Sequence, residues 1–303
     1  MAHFTPLEQV HALLEHIEGA YSPNTIRAYR ADILEFIHYC ATVGYGALPA
    51  MPQTVANFLS ACAAHGNKTA TIRRKAASIS AIHRLSGLQD PAKHPEVKIA
   101  LRKISRQLGT RFVQAYPVTR SVLNKLLGVC SADLWGLRNR ALLLLAYDYM
   151  CRRSELVSLR VEDMEWLSAQ GMSVLLRRSK TDQHGAGKWL DLSTESSNAV
   201  EDWLQAAGIR CGLILRGILP NGKVTSALGE SRIPRIYKSL AKAAGLPEGA
   251  VQDISGHSMR VGAAQDLLNQ GASLPQIMVR GGWSKTDTVM RYVQKARGVV
   301  RHM

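Results

Sequence analysis

Cysteine, acidic residues and long apolar runs are all scarce in this chain of 303 residues. The five cysteines are odd in number and never form a C-x-x-C pair, which argues against a disulfide framework or a zinc site and favours buried free thiols. No segment is long and apolar enough to span a bilayer, and the first six residues lack the basic-then-apolar pattern of a secretion signal. We therefore expect a protein of the cytoplasm, with no membrane partner.

What the chain has in excess is positive charge. Lysine and arginine number 38 against 23 aspartate and glutamate, giving a formal net charge of +15 and a pI near 9.9. A hydrophobic fraction of 46% is enough for real cores, so this charge belongs on folded surfaces, and the length suits two domains better than one. The composition favours a polyanion as the partner, while an ordinary basic protein stays the alternative.

The first hundred residues read as helices with one basic face. Residues 1–67 carry two Lys/Arg and five acids, whereas residues 68–111 carry eleven Lys/Arg and two acids. Ile72, Ile79 and Ile82 are spaced to face inward on one helix. This spacing predicts that Arg73, Arg74 and Lys75 on the same helix point mostly outward. The candidates for contact with the phosphates of a polyanion are the basic residues Arg73, Arg74, Lys75, Arg102, Lys103 and Arg106. The alternative is a solvated charged face of a small helical bundle.

Helix signals and breaks indicate the domain boundaries. Ser22 and Pro23 predict the N-cap and first position of one helix, and three further helices are expected at about 54–64, 69–87 and 94–108. The stretch from Gly109 to Pro117 breaks the helical pattern. We divide the chain into a helical domain at 1–110, a linker at 111–118 and a second domain at 119–303.

The second domain mixes helices with a short hairpin. Residues 137–150 are apolar nearly all round, as expected for a central buried helix, and Arg152 follows directly. Residues 172–177 and 188–192 read as strands joined by a long turn, with Lys180 at its entry. Helices are expected at 197–208, 231–244 and 258–270. Without further support Lys180 would be an ordinary solvated lysine, and Arg152 a surface arginine.

A set of candidate catalytic residues lies near the end of the chain. His257 and Arg260 are three residues apart, so on a helix they share one face and can reach one phosphate. Gly281-Gly282-Trp283 follows, and Tyr292 comes nine residues after the tryptophan. The set offers donors for phosphate oxygens, a group that moves a proton and an oxygen nucleophile. Each of these residues taken alone would be better explained as part of a core.

This composite pattern resembles the C-terminal signature of the tyrosine recombinases, the phage integrase family, and most closely its Cre-like branch. Residues 147–159, with Arg152 and Glu155, resemble the family's first arginine box, and residues 178–182 resemble the hairpin that carries its lysine, here Lys180. The resemblance implies a mainly α fold with a small β-hairpin or sheet, arranged as a two-domain DNA clamp: a helical core-binding domain and a catalytic domain.

The resemblance also implies a role for each residue. Tyr292 is the expected nucleophile, and Arg152 and Arg260 are expected to bind the non-bridging phosphate oxygens. Lys180 is expected to reach the minor groove and act as general acid. His257 is expected to be a base or second donor, and Trp283 a donor that also supports packing. Glu155 is expected to orient its neighbours, and Arg232 and Arg235 to read bases in the major groove.

The expected reaction is site-specific cleavage and rejoining of DNA through a 3′-phosphotyrosyl bond and a Holliday junction. Two arginines supply the charge and no G-x-x-x-x-G-K-[ST] loop occurs, so we expect no metal, cofactor or ATP. The expected partner is double-stranded DNA with an inverted-repeat recombination site, bound by a homotetramer that is monomeric when free. Only eleven residues follow Tyr292, where Cre-like relatives usually extend further, so we expect weaker tetramer assembly or other contacts.

Two other functions stay open at this point. An enzyme of type IB topoisomerase character, which acts without pairing two DNA sites, would have the same catalytic residues and would relax supercoiled DNA that lacks any special site. A catalytically silent DNA-binding protein would tolerate Tyr292→Phe without loss of its biological activity.

Overall fold

The chain divides into two compact units, residues 1–112 and 113–303, each built around its own apolar core. The computed structural model describes residues 5–109, 114–167, 171–179 and 186–293. The expected fold class is confirmed, because helices dominate and a small antiparallel sheet lies in the second unit. Within the described ranges, no helix combines the length and the apolar character that a membrane span requires.

Over its described residues, 5–109, the first unit is built of helices. Its α-helices there are α1 (Pro6–His16), α2 (Pro23–Val43), α3 (Pro52–Ala64), α4 (Thr69–Leu85) and α5 (Pro95–Leu108). Ser22 caps α2 as its sequence predicts, since its hydroxyl accepts the Thr25 N–H at 3.2 Å. The core between the helices includes Phe36 and Phe58, whose rings meet edge to face at 5.2 Å.

Helix α1 is absent from the sequence-based expectation. A capping box begins it, in which the Thr5 hydroxyl accepts the Glu8 N–H and the Glu8 carboxylate accepts the Thr5 N–H. Val10 and Leu14 are its buried residues. The Thr-x-x-Glu signal is legible in the sequence, and the helix is therefore predictable from it.

The expectation that Lys75 points outward is wrong. Its side chain is 4% exposed, and its ammonium group donates to the Glu35 carboxylate and lies 3.5 Å from the Cys62 sulfur. The same group stands 5.7 Å from the centre of the Phe58 ring. A buried ammonium needs a counter-charge, and Glu35 on the adjacent α2 supplies it. The period of the isoleucines could not show this acid.

The second unit carries the sheet and the remaining helices. Strands β1 (Met164–Leu167), β2 (Gly171–Leu176) and β3 (Lys188–Asp191) are antiparallel in the order β1-β2-β3. β1 was not expected, because its four residues are too few to show a strand pattern in the sequence; three of them are exposed. The described helices are α6 (Arg120–Gly128), α7 (Leu134–Tyr149), α8 (Arg153–Leu156), α9 (Thr194–Ala206), α10 (Ile233–Ala243), α11 (Glu248–Asp253), α12 (Ser258–Asn269), α13 (Leu274–Gly281) and α14 (Thr286–Val293).

Helix α7 is the central helix that its apolar sequence predicts. Leu142, Leu143 and Leu145 are fully buried, and α7 packs against both α9 and α12. It ends at Met150, a buried residue in the left-handed region with φ 49°. A non-glycine residue pays conformational energy there, so the surrounding packing must hold it. This bend leads the chain out of the core two residues before Arg152.

Three C-terminal helices close a separate apolar cluster. Met150 at the end of α7 packs with Ala263 and Ala264 of α12, Ile277 of α13 and Val289 of α14. Trp283, between α13 and α14, belongs to the same cluster, and Tyr292 packs against it. The segments that carry the C-terminal motif are therefore held together by one small core.

Three of the five cysteines are buried, as expected, and all five are free. Cys211 is exposed and Cys130 half-buried, so the expectation of burial is wrong for Cys211. Cys151, the neighbour of Arg152, is buried, and loss of water around its thiol raises the pKa to about 12. Its thiol is therefore protonated and unreactive at neutral pH.

Gly262 on α12 permits a close approach of two backbone segments in the second unit. A Cβ atom placed there would lie 1.9 Å from the carbonyl oxygen of Val118. Backbone cannot move aside as a side chain does, so Gly262→Ala should lower the free energy of unfolding of this unit by about 3 kcal/mol. Gly249→Ala, in the first turn of α11 with nothing within 4 Å of the new atom, should not destabilise and should stabilise by up to about 0.5–1 kcal/mol. Thermal unfolding of both variants checks the pair, and equal shifts would contradict the packing argument.

Candidate active site

Five of the six residues expected to be catalytic line one pocket of about 170 Å³ in the second unit. They are Arg152, His257, Arg260, Trp283 and Tyr292. They come from four places in the chain: the start of α8, the start of α12, the turn after α13 and the end of α14. The structure therefore brings together residues that are up to 140 positions apart in sequence.

Arg152 is fixed by Glu155. The carboxylate of Glu155 accepts the backbone N–H of Arg152 and its Nη1, both at 2.8 Å. Arg152 is the N-cap of α8 and Glu155 its third residue, so the reciprocal contact also caps that short helix. Glu155 is 7% exposed and Arg152 26% exposed. The ion pair leaves the outer part of the guanidinium facing the pocket in a set direction.

Arg260 is buried, and no carboxylate among the described residues forms an ion pair with it. Its Nη2 donates to the Gly281 carbonyl oxygen at 3.0 Å, and its guanidinium carbon lies 4.8 Å from the centre of the Trp283 ring. Burial and then the charge of Arg152 lower its pKa. Its Nη1 is buried and has no hydrogen-bond partner among the described residues. A charged donor without an acceptor, in a pocket that also holds a second arginine, indicates a binding site for an anion.

The Gly281-Gly282-Trp283 turn brings the Trp283 indole back over the end of α13. A Cβ atom on Gly281 would fall 2.1 Å from the Trp283 ring, so only glycine leaves room for it. Gly282 ends α13 in the left-handed conformation, with φ 62°. Trp283 is thereby 8% exposed, against Arg260 on one side and the Tyr292 ring, at 5.4 Å between centres, on the other.

His257 lies at the rim of the pocket as the N-cap residue of α12. Removal of water from around its ring, followed by the positive charge of Arg260, lowers its pKa below the ordinary 6.5. The imidazole is therefore neutral at neutral pH and has a nitrogen that can accept a proton or a hydrogen bond.

Tyr292 is half-buried near the end of α14, with its ring against Trp283. Its main-chain oxygen accepts two side-chain amides, from Gln265 at 2.9 Å and from Gln114 at 3.0 Å. Neither glutamine was a candidate from sequence, because an isolated glutamine carries no chemical signature.

Lys180 lies outside the described residues. The residue before it, Ser179, lines a second cavity of about 230 Å³ that shares Arg152 and Gly282 with the first. Lys188, after the hairpin turn, lines that cavity too and donates from Nζ to the Val279 carbonyl oxygen at 2.5 Å. Burial and then Arg280 lower its pKa. Sequence reasoning missed this link between the hairpin and the end of α13.

The expected DNA-contacting residues are in both units, and all except Lys75 are exposed. Arg73 donates to the Ser105 hydroxyl at 3.0 Å, and Arg74 pairs with Asp32 at 2.6 Å. Those on α5 and around the start of α10 are Arg102, Lys103, Arg106, Arg232 and Arg235. Their contact with DNA stays a prediction.

Comparison with known proteins gives the family. The model described as "Phage integrase family" matches residues 117–298, and "Phage integrase, N-terminal SAM-like domain" matches residues 12–86. The chain is 28% identical over 295 residues to recombinase cre of Escherichia phage P1, covering 91% of this chain and 85% of the relative. It is 30% identical over 290 residues to an integrase/recombinase xerD homolog of Selenomonas ruminantium, covering 92% and 84%.

Solved structures agree on the fold. XerH site-specific recombinase bound to palindromic difH substrate, in a post-cleavage complex, superposes with a TM-score of 0.70 at 16% identity over 96% of this chain and 82% of that one. A lambda integrase (75-356) dimer bound to a COC′ core site gives 0.65 at 15% identity, over 95% and 96%.

The chain belongs to the phage integrase family, the tyrosine recombinases, as its motifs indicate. It is an enzyme that cleaves and rejoins DNA strands site-specifically.

The lowered pKa of His257 predicts the pH at which the cleavage rate begins to fall on the acid side. If the neutral imidazole accepts the proton, DNA cleavage should hold as pH falls towards 6.5 and decline only below it, when the ring becomes protonated. Rates of single-turnover cleavage between pH 5 and 8 check this. His257→Asn should cleave more slowly and lose that decline, so an unchanged acid limb in the variant would show that another group titrates.

Proposed function

We propose that the pocket binds the scissile phosphate of DNA and that Tyr292 attacks it to give a 3′-phosphotyrosyl bond. One observation carries the proposal: the buried Nη1 of Arg260 has no hydrogen-bond partner in the part of the chain that the structure describes, and its pocket also holds Arg152, His257 and Tyr292. Two guanidinium groups of like charge repel one another. The DNA phosphate between them lowers that cost, most of all in the transition state, where attack by the phenolate brings a second negative charge onto the phosphorane.

The chemistry uses this chain's own groups. The Tyr292 hydroxyl loses its proton, with His257 as base or second donor, and its oxygen forms a bond to phosphorus. Arg152 and Arg260 hold the two non-bridging oxygens, and the Trp283 N–H adds a donor beside them. The bond to the 5′-oxygen breaks, and that oxygen takes a proton from Lys180. A 5′-hydroxyl from another strand reverses the step, so the bond energy is conserved and strands are exchanged.

Glu155 has an orienting role in this proposal. Because it accepts both the main-chain N–H and the Nη1 of Arg152, it restricts the arginine to one rotamer before DNA arrives. Pre-organisation of this kind lowers the entropy lost in the transition state. Guanidinium charge suffices for the phosphate, and the proposed steps call for neither metal nor nucleotide.

We propose double-stranded DNA with an inverted-repeat site as the partner. The compared recombinase structures were solved with difH and COC′ core DNA. The exposed basic residues of α4 and α5 are proposed to contact phosphates, and Arg232 with Arg235 to read bases. A homotetramer on paired sites, monomeric when free and passing through a Holliday junction, is the proposed assembly, and the bacterial cytoplasm is the proposed place of action.

The nucleophile is tested with nicked duplexes tiled across the DNA that flanks the gene. Wild-type protein should form an SDS-resistant protein–DNA adduct on one of them, because the nick lets the cleaved fragment diffuse away. Tyr292→Phe should bind the same duplex equally well and form no adduct, since only the attacking oxygen is lost. An adduct with this variant would overturn the assignment, and adducts on every duplex would favour the topoisomerase character.

The phosphate clamp is tested at the two arginines. Arg152→Ala and Arg260→Ala should each lower the cleavage rate by about 10²–10³-fold, because each removes donors aimed at developing charge. Binding should change little, since the basic surface elsewhere is intact. Arg291→Ala, exposed on α14 outside the pocket, is the matched control and should cleave normally. Comparable losses of binding and cleavage would point to a mainly structural role.

A further inference from the structure

The main-chain oxygen of Tyr292 is held by two side chains from different parts of the second unit. Gln265 donates from Nε2 at 2.9 Å and Gln114 from Nε2 at 3.0 Å. Tyr292 lies on α14. A carbonyl oxygen has two lone pairs, and two side-chain amides are as many donors as those lone pairs accept.

The position of Gln265 joins the nucleophile to the phosphate donors. Gln265 is 4% exposed and lies on α12, the helix that starts after His257 and carries Arg260. Its amide thus sets the distance between the helix of the phosphate donors and the end of the helix of the nucleophile. Gln114 reaches the same oxygen from the segment that precedes α6, so the end of α14 is held from two directions.

We infer that Gln265 and Gln114 are positioning residues that fix the main chain of Tyr292 for in-line attack on phosphorus. The inference rests on the proposed function, in which the Tyr292 oxygen is the nucleophile. Neither glutamine needs to touch DNA. Their effect is on the direction of the phenol, and a misplacement of about 1 Å at a reacting atom costs about 100-fold in rate.

The decisive variant is Gln265→Glu, which keeps the size and shape of the side chain. At pH 8 the introduced carboxylate has no proton to donate, and it places negative charge against a carbonyl oxygen. Cleavage of the nicked duplex should fall about 100-fold, while DNA binding should stay within about twofold of wild type. Gln265→Leu, which only removes the donor, should lose about tenfold.

The pH profile separates positioning from a general loss of structure. When the introduced carboxyl is protonated it regains a donor, so the defect of Gln265→Glu should shrink as pH falls from 8 to 5.5. The rate is measured as a ratio to wild type at each pH, which cancels the titration of His257 and the charge of Arg260 in the same pocket. Gln265→Leu should show a constant ratio. A constant ratio for Gln265→Glu would overturn the inference.

Three controls make the outcome unambiguous. Gln270→Glu, exposed at the end of α12, should match wild type. Gln114→Glu, on the less buried glutamine, should show the same pH-dependent defect and tests the inference even where Gln265→Glu folds poorly. Because the two amides share one acceptor, the double Leu variant should differ from the sum of the single effects. Wild-type protein without any adduct would refute the proposed function, whereas normal cleavage by both Glu variants refutes only the positioning role.

Discussion

The buried guanidinium of Arg260 is the interaction on which the rest of the second unit depends. It fixes α12 to the end of α13 through the Gly281 carbonyl, stacks on Trp283, and through that indole sets the place of the Tyr292 ring. A charge kept in a core with one donor unmet is unfavourable for folding alone. The small core of Met150, Ala263, Ile277 and Val289 supplies the packing that tolerates it. The pocket is thus organised around a group whose full complement of contacts requires an anion.

The candidate residues that the structure brings together could be selected from the sequence because each has a distinctive type and spacing. His257 and Arg260, three apart, fall on one turn of α12, and Trp283 and Tyr292 return to it across one small cluster. The central helix α7 could be predicted because it is apolar all round. Arg152 drew notice because it directly follows that helix, but the left-handed conformation of Met150 between them could not be predicted.

Features that depend on a partner far along the chain were out of reach. Isoleucine spacing placed the backbone of α4 correctly, but the burial of Lys75 is decided by Glu35 on another helix, 40 residues away. β1 has no apolar alternation of its own and exists through its ladder with β2. Gln114 and Gln265 acquire meaning only where they meet the same oxygen, and no local pattern marks that meeting.

The ion pairs of α4 have a consequence for how this protein responds to salt. Of the six basic residues of the first unit that the sequence marks as candidates for phosphate contact, Arg74 is paired with Asp32 and Lys75 with Glu35. A cation that is already neutralised releases no condensed counterions when a duplex arrives. Among these six residues, Arg73, Arg102, Lys103 and Arg106 are left to displace ions from DNA, so the number of ions displaced is smaller than the net charge of the sequence suggests.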